Sequence, residues 1–201
     1  MLRIIGGEYR SHHLNSPPDA EVTRPYTARV KEAVFNLLRG WWADARVVDL
    51  YAGVGTMGLE AASRGAAWVL MVERDRKIAR IARENIDMLG CGDRVELMQG
   101  DAGGLAALSA ATEPVDVVFI DPPYRDMEDE AGRRSVCELA ARWGERMKDQ
   151  AFLVLRSPMG PDEAELAIDG MEGPEAHRYG NDMWVLLYCP RRDEHGAGGG
   201  E

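Results

Sequence analysis

Apolar and polar residues follow two periods along this chain. Val30, Ala33, Val34, Leu37 and Leu38 recur at i, i+3, i+4, i+7 and i+8, which predicts an amphipathic helix. Thr27 stands where it can cap that helix and Gly40 where it can end it. Upstream, residues 2–5 and 9–14 read as short extended pieces around Gly6-Gly7, a hairpin pattern, and Ser16-Pro17-Pro18-Asp19 reads as a loop. From residue 45 onward, apolar runs alternate with helical stripes. Residues 45–51, 68–72, 94–98, 115–120 and 151–156 read as strands, with helices over 57–64, 76–89 and part of 129–147. Strands apolar on both faces belong to buried parallel sheets, and this β/α alternation predicts an open, doubly wound α/β sheet. The run at 115–120 is the most apolar and is expected at the centre. Residues 177–179 and 183–188 are joined only by Gly180-Asn181-Asp182, so that last pair should be antiparallel.

Composition narrows the function classes. The chain has 201 residues, 24 Lys+Arg and 34 Asp+Glu, a net charge of −10. A compact, uniformly basic nucleic-acid-binding domain is thereby excluded. Residues 1–40 carry six basic and four acidic side chains, net +2, and the rest carry −12. The organisation expected is an N-terminal extension over 1–40 that contacts RNA, a main domain over 41–189 and a disordered, Gly-rich tail over 190–201. Cys91, Cys137 and Cys189 form no CxxC pair, so neither a disulfide framework nor a metal site is expected. No apolar run approaches the ~18 residues of a membrane span, and the first residues lack a signal-peptide pattern. The expected compartment is cytoplasmic, with no membrane partner.

Two motifs carry chemistry. Gly53, Gly55 and Gly58 spell GxGxxG between a predicted strand and a predicted helix, and Glu73 closes the next strand. Glycines there permit a tight turn and close backbone approach to a ligand, and an end-of-strand carboxylate can accept from a ribose diol. The motif alone fits a nicotinamide cofactor or S-adenosylmethionine (AdoMet). Asp49 favours AdoMet, because a carboxylate beside the loop repels a pyrophosphate and suits a cationic amino-acid end. The second motif is Asp121-Pro122-Pro123-Tyr124, directly after the central strand. Two prolines stiffen the corner. Asp121 and the Pro122 carbonyl can accept the two N–H bonds of an exocyclic amine, and Tyr124 can stack on the ring that carries it. Such a base must be flipped out or already unpaired.

With these motifs, the chain resembles the bacterial 16S ribosomal RNA guanine-N2 methyltransferases over about residues 3–189. The similarity runs through residues 3–7, the Arg24-Pro25 helix motif at 23–36, Asp49–Gly55, residues 63–66 and Asp121–Tyr124. It implies a Rossmann-like class I AdoMet-dependent fold, with seven strands, mostly parallel, and the last one antiparallel. It also implies methylation of a guanine exocyclic amine in small-subunit ribosomal RNA. The weak excess of basic residues in the arm predicts that the substrate is an assembled particle, and a monomer is expected. Carried over by position, Asp49, Tyr51, Gly53, Gly55, Glu73, Asp101 and Ala102 would hold AdoMet. Asp121, Pro122 and Tyr124 would be catalytic, while Arg24, Pro25 and Pro123 would contact substrate. Alternatives are an adenine-N6 or other amino methyltransferase on DNA or RNA, a non-catalytic assembly protein on the same fold, and a nicotinamide oxidoreductase.

Overall fold

The computed structural model describes residues 2–17 and 27–191. Among these residues seven strands form one sheet: β1 (Arg46–Leu50), β2 (Trp68–Glu73), β3 (Val95–Gln99), β4 (Val115–Ile120), β5 (Met147–Ser157), β6 (Met171–Arg178) and β7 (Trp184–Pro190). Their order is β3-β2-β1-β4-β5-β7-β6, with β4 central as expected. The first five strands pair in parallel, and β7 is antiparallel to both β5 and β6. The helices are α1 (Ala28–Leu37), α2 (Gly58–Ser63), α3 (Arg76–Leu89), α4 (Leu105–Ala110), α5 (Arg125–Glu128) and α6 (Glu130–Gly144). This is the Rossmann-like class I AdoMet-dependent methyltransferase fold.

Strand pleat explains the continuous apolar runs. Alternate side chains enter opposite cores. Val47, Met71, Val117 and Phe119 join the core beneath α1, α2 and α3; Val48, Leu50, Leu70, Val118 and Ile120 join the core beneath α4 and α6. Trp42 stacks on Phe119 at 6.1 Å and packs on Phe35 at 4.5 Å, and Trp41 meets Phe152 edge-on at 5.0 Å. The tryptophan pair thus fastens α1 to the sheet.

Several expectations change. In α1, Thr27 does accept from the Val30 N–H, but the buried face runs through Val30, Lys31, Val34 and Phe35, and Leu37 stays 40 % exposed. Residues 2–14 do pair antiparallel, through the Arg3–His13 bridge and backbone bonds from the Ile4, Ser11 and Leu14 N–H groups to the His12, Ile4 and Leu2 carbonyls, but the pairing is too short to form a regular strand pair. Gly6-Gly7 leads into the turn, which closes with the Arg10 N–H donating to the Gly7 carbonyl at 3.3 Å. The Gly7 backbone lies against α2, where a Cβ would sit 1.7 Å from the Ser63 carbonyl oxygen. The Lys31 ammonium, counted with the basic arm, is 2 % exposed and pairs with Glu60 at 2.9 Å. Arg24 and Pro25, and residues 192–201 of the expected tail, lie outside the described residues. Among the described residues, no helix is long and apolar enough to cross a membrane.

Candidate active site

The site is built at the carboxyl edge of β1, β2 and β4, where open α/β sheets bind ligands. After β1 the chain turns sharply, with φ at +62° for Tyr51, +58° for Gly53 and +92° for Gly55. The Asp49 carboxylate accepts from the Gly58 N–H at 2.8 Å, at the start of α2. Glu73 ties the turn to β2: its Oε2 accepts from the Gly53 N–H at 2.9 Å and its Oε1 from the Asp75 N–H at 2.7 Å. The three motif glycines have different reasons to be glycine. A Cβ on Gly53 would enter open space with no atom within 4 Å, leaving room for a ligand against the backbone. A Cβ on Gly55 would meet Leu59 at 2.8 Å on a backbone whose φ of +92° already favours glycine, and one on Gly58 would meet Met71 at 2.8 Å, so packing sets Gly58 and backbone conformation sets Gly55.

Neighbouring loops complete this half of the site. The Gly100 N–H donates to the Glu73 carbonyl at 3.0 Å and brings the loop after β3 alongside. There Asp101 is exposed, its Oδ1 accepts from the Gly103 N–H at 2.9 Å, and Ala102 is buried. Tyr51 is half-buried, and its phenol is pushed up by burial, then by Asp126 and Asp101.

The second half is the Asp-Pro-Pro-Tyr corner. The Pro123 and Tyr124 carbonyls accept from Asp126 and Met127 N–H groups at 2.9 and 2.8 Å, which folds the corner directly into α5. The Tyr124 hydroxyl donates to the Asp182 carbonyl at 3.3 Å, so the β6–β7 turn steadies the ring. The Arg156 guanidinium lies 5.4 Å from the Tyr124 ring centroid, and its Nε closes on Asp121 Oδ1 in a tight ion pair.

Arg156 is the site residue that sequence reasoning passed over. The parallel register pairs Phe119 with Val154 and Ile120 with Leu155, so the next step along β5 sets Arg156 beside Asp121. Its one sequence signal is a charge closing an apolar run, Phe152-Leu153-Val154-Leu155-Arg156. Arginine is almost never fully buried unless paired, and this one is 7 % exposed.

Electrostatics separate the carboxylates. Burial raises Asp49 to about 8, with Asp121 and Glu73 adding to the effect and the Gly58 N–H opposing it. Burial raises Asp121 to about 6, with Arg156 opposing. Buried carboxylates with too few cations fit a positively charged ligand, which AdoMet supplies in its ammonium and sulfonium groups. Glu73 keeps lone pairs beyond its two backbone bonds for ribose hydroxyls. A pyrophosphate would instead face the Glu73 and Asp121 carboxylates, which disfavours the nicotinamide alternative. AdoMet is the cofactor of this architecture.

Known proteins agree with this geometry. The family model described as "Conserved hypothetical protein 95" matches residues 2–187. Ribosomal RNA small subunit methyltransferase D of Escherichia coli (strain K12) is 37 % identical over 125 residues, 62 % of this chain and 61 % of that protein. The match therefore spans less than two thirds of that relative's length. The protein of the same name from Haemophilus influenzae is 32 % identical over 142 residues, covering 68 % of this chain and 71 % of that one. A solved structure of a hypothetical protein from Thermus thermophilus superposes with a TM-score of 0.71 at 30 % identity, covering 93 % of this chain and 98 % of that chain. With the glycine loop, the acidic cofactor site and the Asp-Pro-Pro-Tyr corner on one sheet edge, the chain belongs to the conserved hypothetical protein 95 family, that of the small-subunit ribosomal RNA methyltransferase D proteins.

Proposed function

We propose that this protein methylates RNA with AdoMet, and that its target is the exocyclic N2 amine of a guanine in small-subunit ribosomal RNA. One observation carries the reading: Asp121, half-buried and held by Arg156, stands with Tyr124 on the same sheet edge as the cofactor loop. The names of the related proteins support the RNA class.

AdoMet supplies an electrophilic methyl group on a sulfonium. Asp121 accepts an amine N–H through its carboxylate, and the Pro122 carbonyl accepts the other. Withdrawing both hydrogens turns the nitrogen lone pair toward the methyl carbon. Methyl transfer to that nitrogen would leave the electron pair of the methyl–sulfur bond with the departing thioether. The proton on the methylated nitrogen leaves to Asp121 or to water. Tyr124 holds the base plane, so the gain comes mainly from alignment, which in the best cases is worth ~7–11 kcal/mol. The arm over residues 1–40, with Arg24, Pro25 and Pro123, approaches the RNA on this reading. A structured particle supplies contacts that an acidic chain lacks.

The test is direct. Small-subunit RNA from cells lacking the gene is treated with enzyme and AdoMet, then digested and analysed by mass spectrometry. N2-methylguanine at one site is expected, and N6-methyladenine overturns the assignment. Asp121→Ala should keep AdoMet affinity and lose turnover by about 10²-fold or more.

A further inference from the structure

Cations concentrate on α3. Residues 74–83 hold Arg74, Arg76, Lys77, Arg80 and Arg83 against one carboxylate, Asp75, in a chain of net charge −10. Arg76, Arg80 and Arg83 recur at i, i+4 and i+7, so they share one stripe of the helix, and all are exposed. With Lys77, Leu97 and Gln99 they line a groove of about 570 Å³ between α3 and the edge strand β3.

Little within the chain answers this charge. Asp75 is engaged in capping α3, accepting from Lys77 and Ile78 N–H groups at 2.7 and 3.0 Å. Arg80 meets Glu84 at 3.5 Å in an exposed pair, a class worth ~1 kcal/mol at most. Arg83 donates to the Leu97 carbonyl at 3.2 Å. Among the described residues, Arg76 and Lys77 make no ion pair. Like charges at i, i+4 destabilise a helix, so folding alone gives no reason for the stripe.

Its position relates it to the site without merging the two. The groove shares no residue with the cofactor set. Gln99 nevertheless pairs in register with Glu73, so the groove opens on the same sheet edge. From β3 to β4, which delivers Asp121, is three strand spacings, or ~14 Å.

We propose that this groove holds phosphates of the RNA strand flanking the nucleotide that enters the Asp121–Tyr124 corner. The inference rests on the reading of the protein as an RNA methyltransferase and locates its main electrostatic contact. It moves that contact away from the arm, where Lys31 is sealed against Glu60 and Glu8 pairs with Arg94. A concave groove lined by Arg and Lys follows a phosphate backbone. A bilayer surface would need a flatter face.

The test reads binding, so its result stands apart from whether methyl transfer to guanine occurs. R76Q/K77Q/R80Q removes three cations and leaves Arg83 on its carbonyl partner. Small-subunit ribosomal RNA is titrated over a range of salt, and AdoMet is titrated by calorimetry. RNA affinity should fall about tenfold or more, and the slope of log K against log salt should shrink by about 2, at ~0.7 per lost contact on a single strand. AdoMet affinity should be unchanged. The control R134Q/R146Q/K148Q removes equal charge from exposed positions elsewhere and should keep the wild-type slope. Unchanged RNA affinity and slope in the first variant overturn the proposal. Equal loss in the control, or AdoMet affinity falling in step with RNA affinity, overturns it too. Loss of binding to phosphatidylglycerol vesicles with RNA binding intact would assign the groove to a membrane and likewise overturn it.

Discussion

Glu60 and Asp49 are both carboxylates sealed from solvent, 0 % and 2 % exposed, yet their surroundings are opposite. Glu60 is saturated. Its Oε2 accepts from the Ile5 N–H at 2.8 Å and pairs with Lys31, and its Oε1 accepts from the Gly6 N–H and Arg64 Nε, each at 2.9 Å. Lys31 in turn donates to the Arg3 carbonyl at 2.7 Å. These bonds lock residues 3–6 and α1 onto α2. Asp49 accepts from one backbone N–H and faces two further carboxylates, Asp121 and Glu73. A buried charge that is fully answered anchors structure. One that is under-answered destabilises the empty site and makes it receptive to a cation.

The largest effect is expected at Glu60. Glu60→Gln strands the Lys31 ammonium in the core and should cost about 3–5 kcal/mol, as for other broken buried pairs. In a chain of this size that lowers Tm by about 10 °C, at roughly 2–4 °C per kcal/mol. Thermal unfolding checks it, and a loss below about 1 kcal/mol would contradict the anchoring role.

Asp49→Asn should do the reverse. The folded value of about 8 lies above the ordinary 3.8, so the folded chain holds a proton that the unfolded chain has lost between those pH values. The contribution of Asp49 to stability is therefore complete below pH 3.8 and disappears as pH rises through about 8. The asparagine substitution removes that slope and should stabilise the ligand-free protein at pH 8 by a few kcal/mol, at about 1.4 kcal/mol per unit. AdoMet affinity should fall. In the wild type, AdoMet binding at pH 7 should release about one proton as Asp49 ionises, which calorimetry in buffers of different ionisation enthalpy measures. An Asp49→Asn variant that still releases the proton would refute the assignment to Asp49.

A smaller effect is expected at Arg156, which lies between the two extremes. It answers part of the Asp121 charge and keeps the carboxylate from rising further. Turnover needs the ionised carboxylate, so kcat/KM should rise with pH through about 6. Arg156→Met should move that limb up by about one unit, and Arg156→Lys should restore part of the shift. An unmoved limb would make Arg156 merely structural. Smallest of all, Arg134→Ala breaks an exposed i,i+4 pair with Glu130 and should change stability by less than ~0.5 kcal/mol in denaturant melts.

Legibility from sequence followed the locality of each signal. The bounds of α3 and β4 were readable to the residue, since a capping Asp75, a closing Gly90 and an uninterrupted apolar run are local marks. α5 went unseen because four residues are too few to display a helical period, and α4, LAALSA, because it has no charged face and no capping side chain. β6 extends well beyond the predicted 177–179. Its sequence, MEGPEAHR, has almost no apolar alternation, and backbone pairing with β7 sustains it at the sheet edge.

By itself, then, the sequence determined the alternation of strands and helices, the glycine turn, and the rigid corner carrying Asp121 and Tyr124. Each follows from periodicity or backbone stereochemistry within a few residues. Only the tertiary structure decided that Arg156 meets Asp121, that Lys31 is buried on Glu60, and that the cations of α3 border a groove on the sheet edge. Those outcomes depend on the register of β4 against β5 and on which face of a helix meets which strand. Charge interacts through space, so its effect is set by neighbours that are distant in the chain.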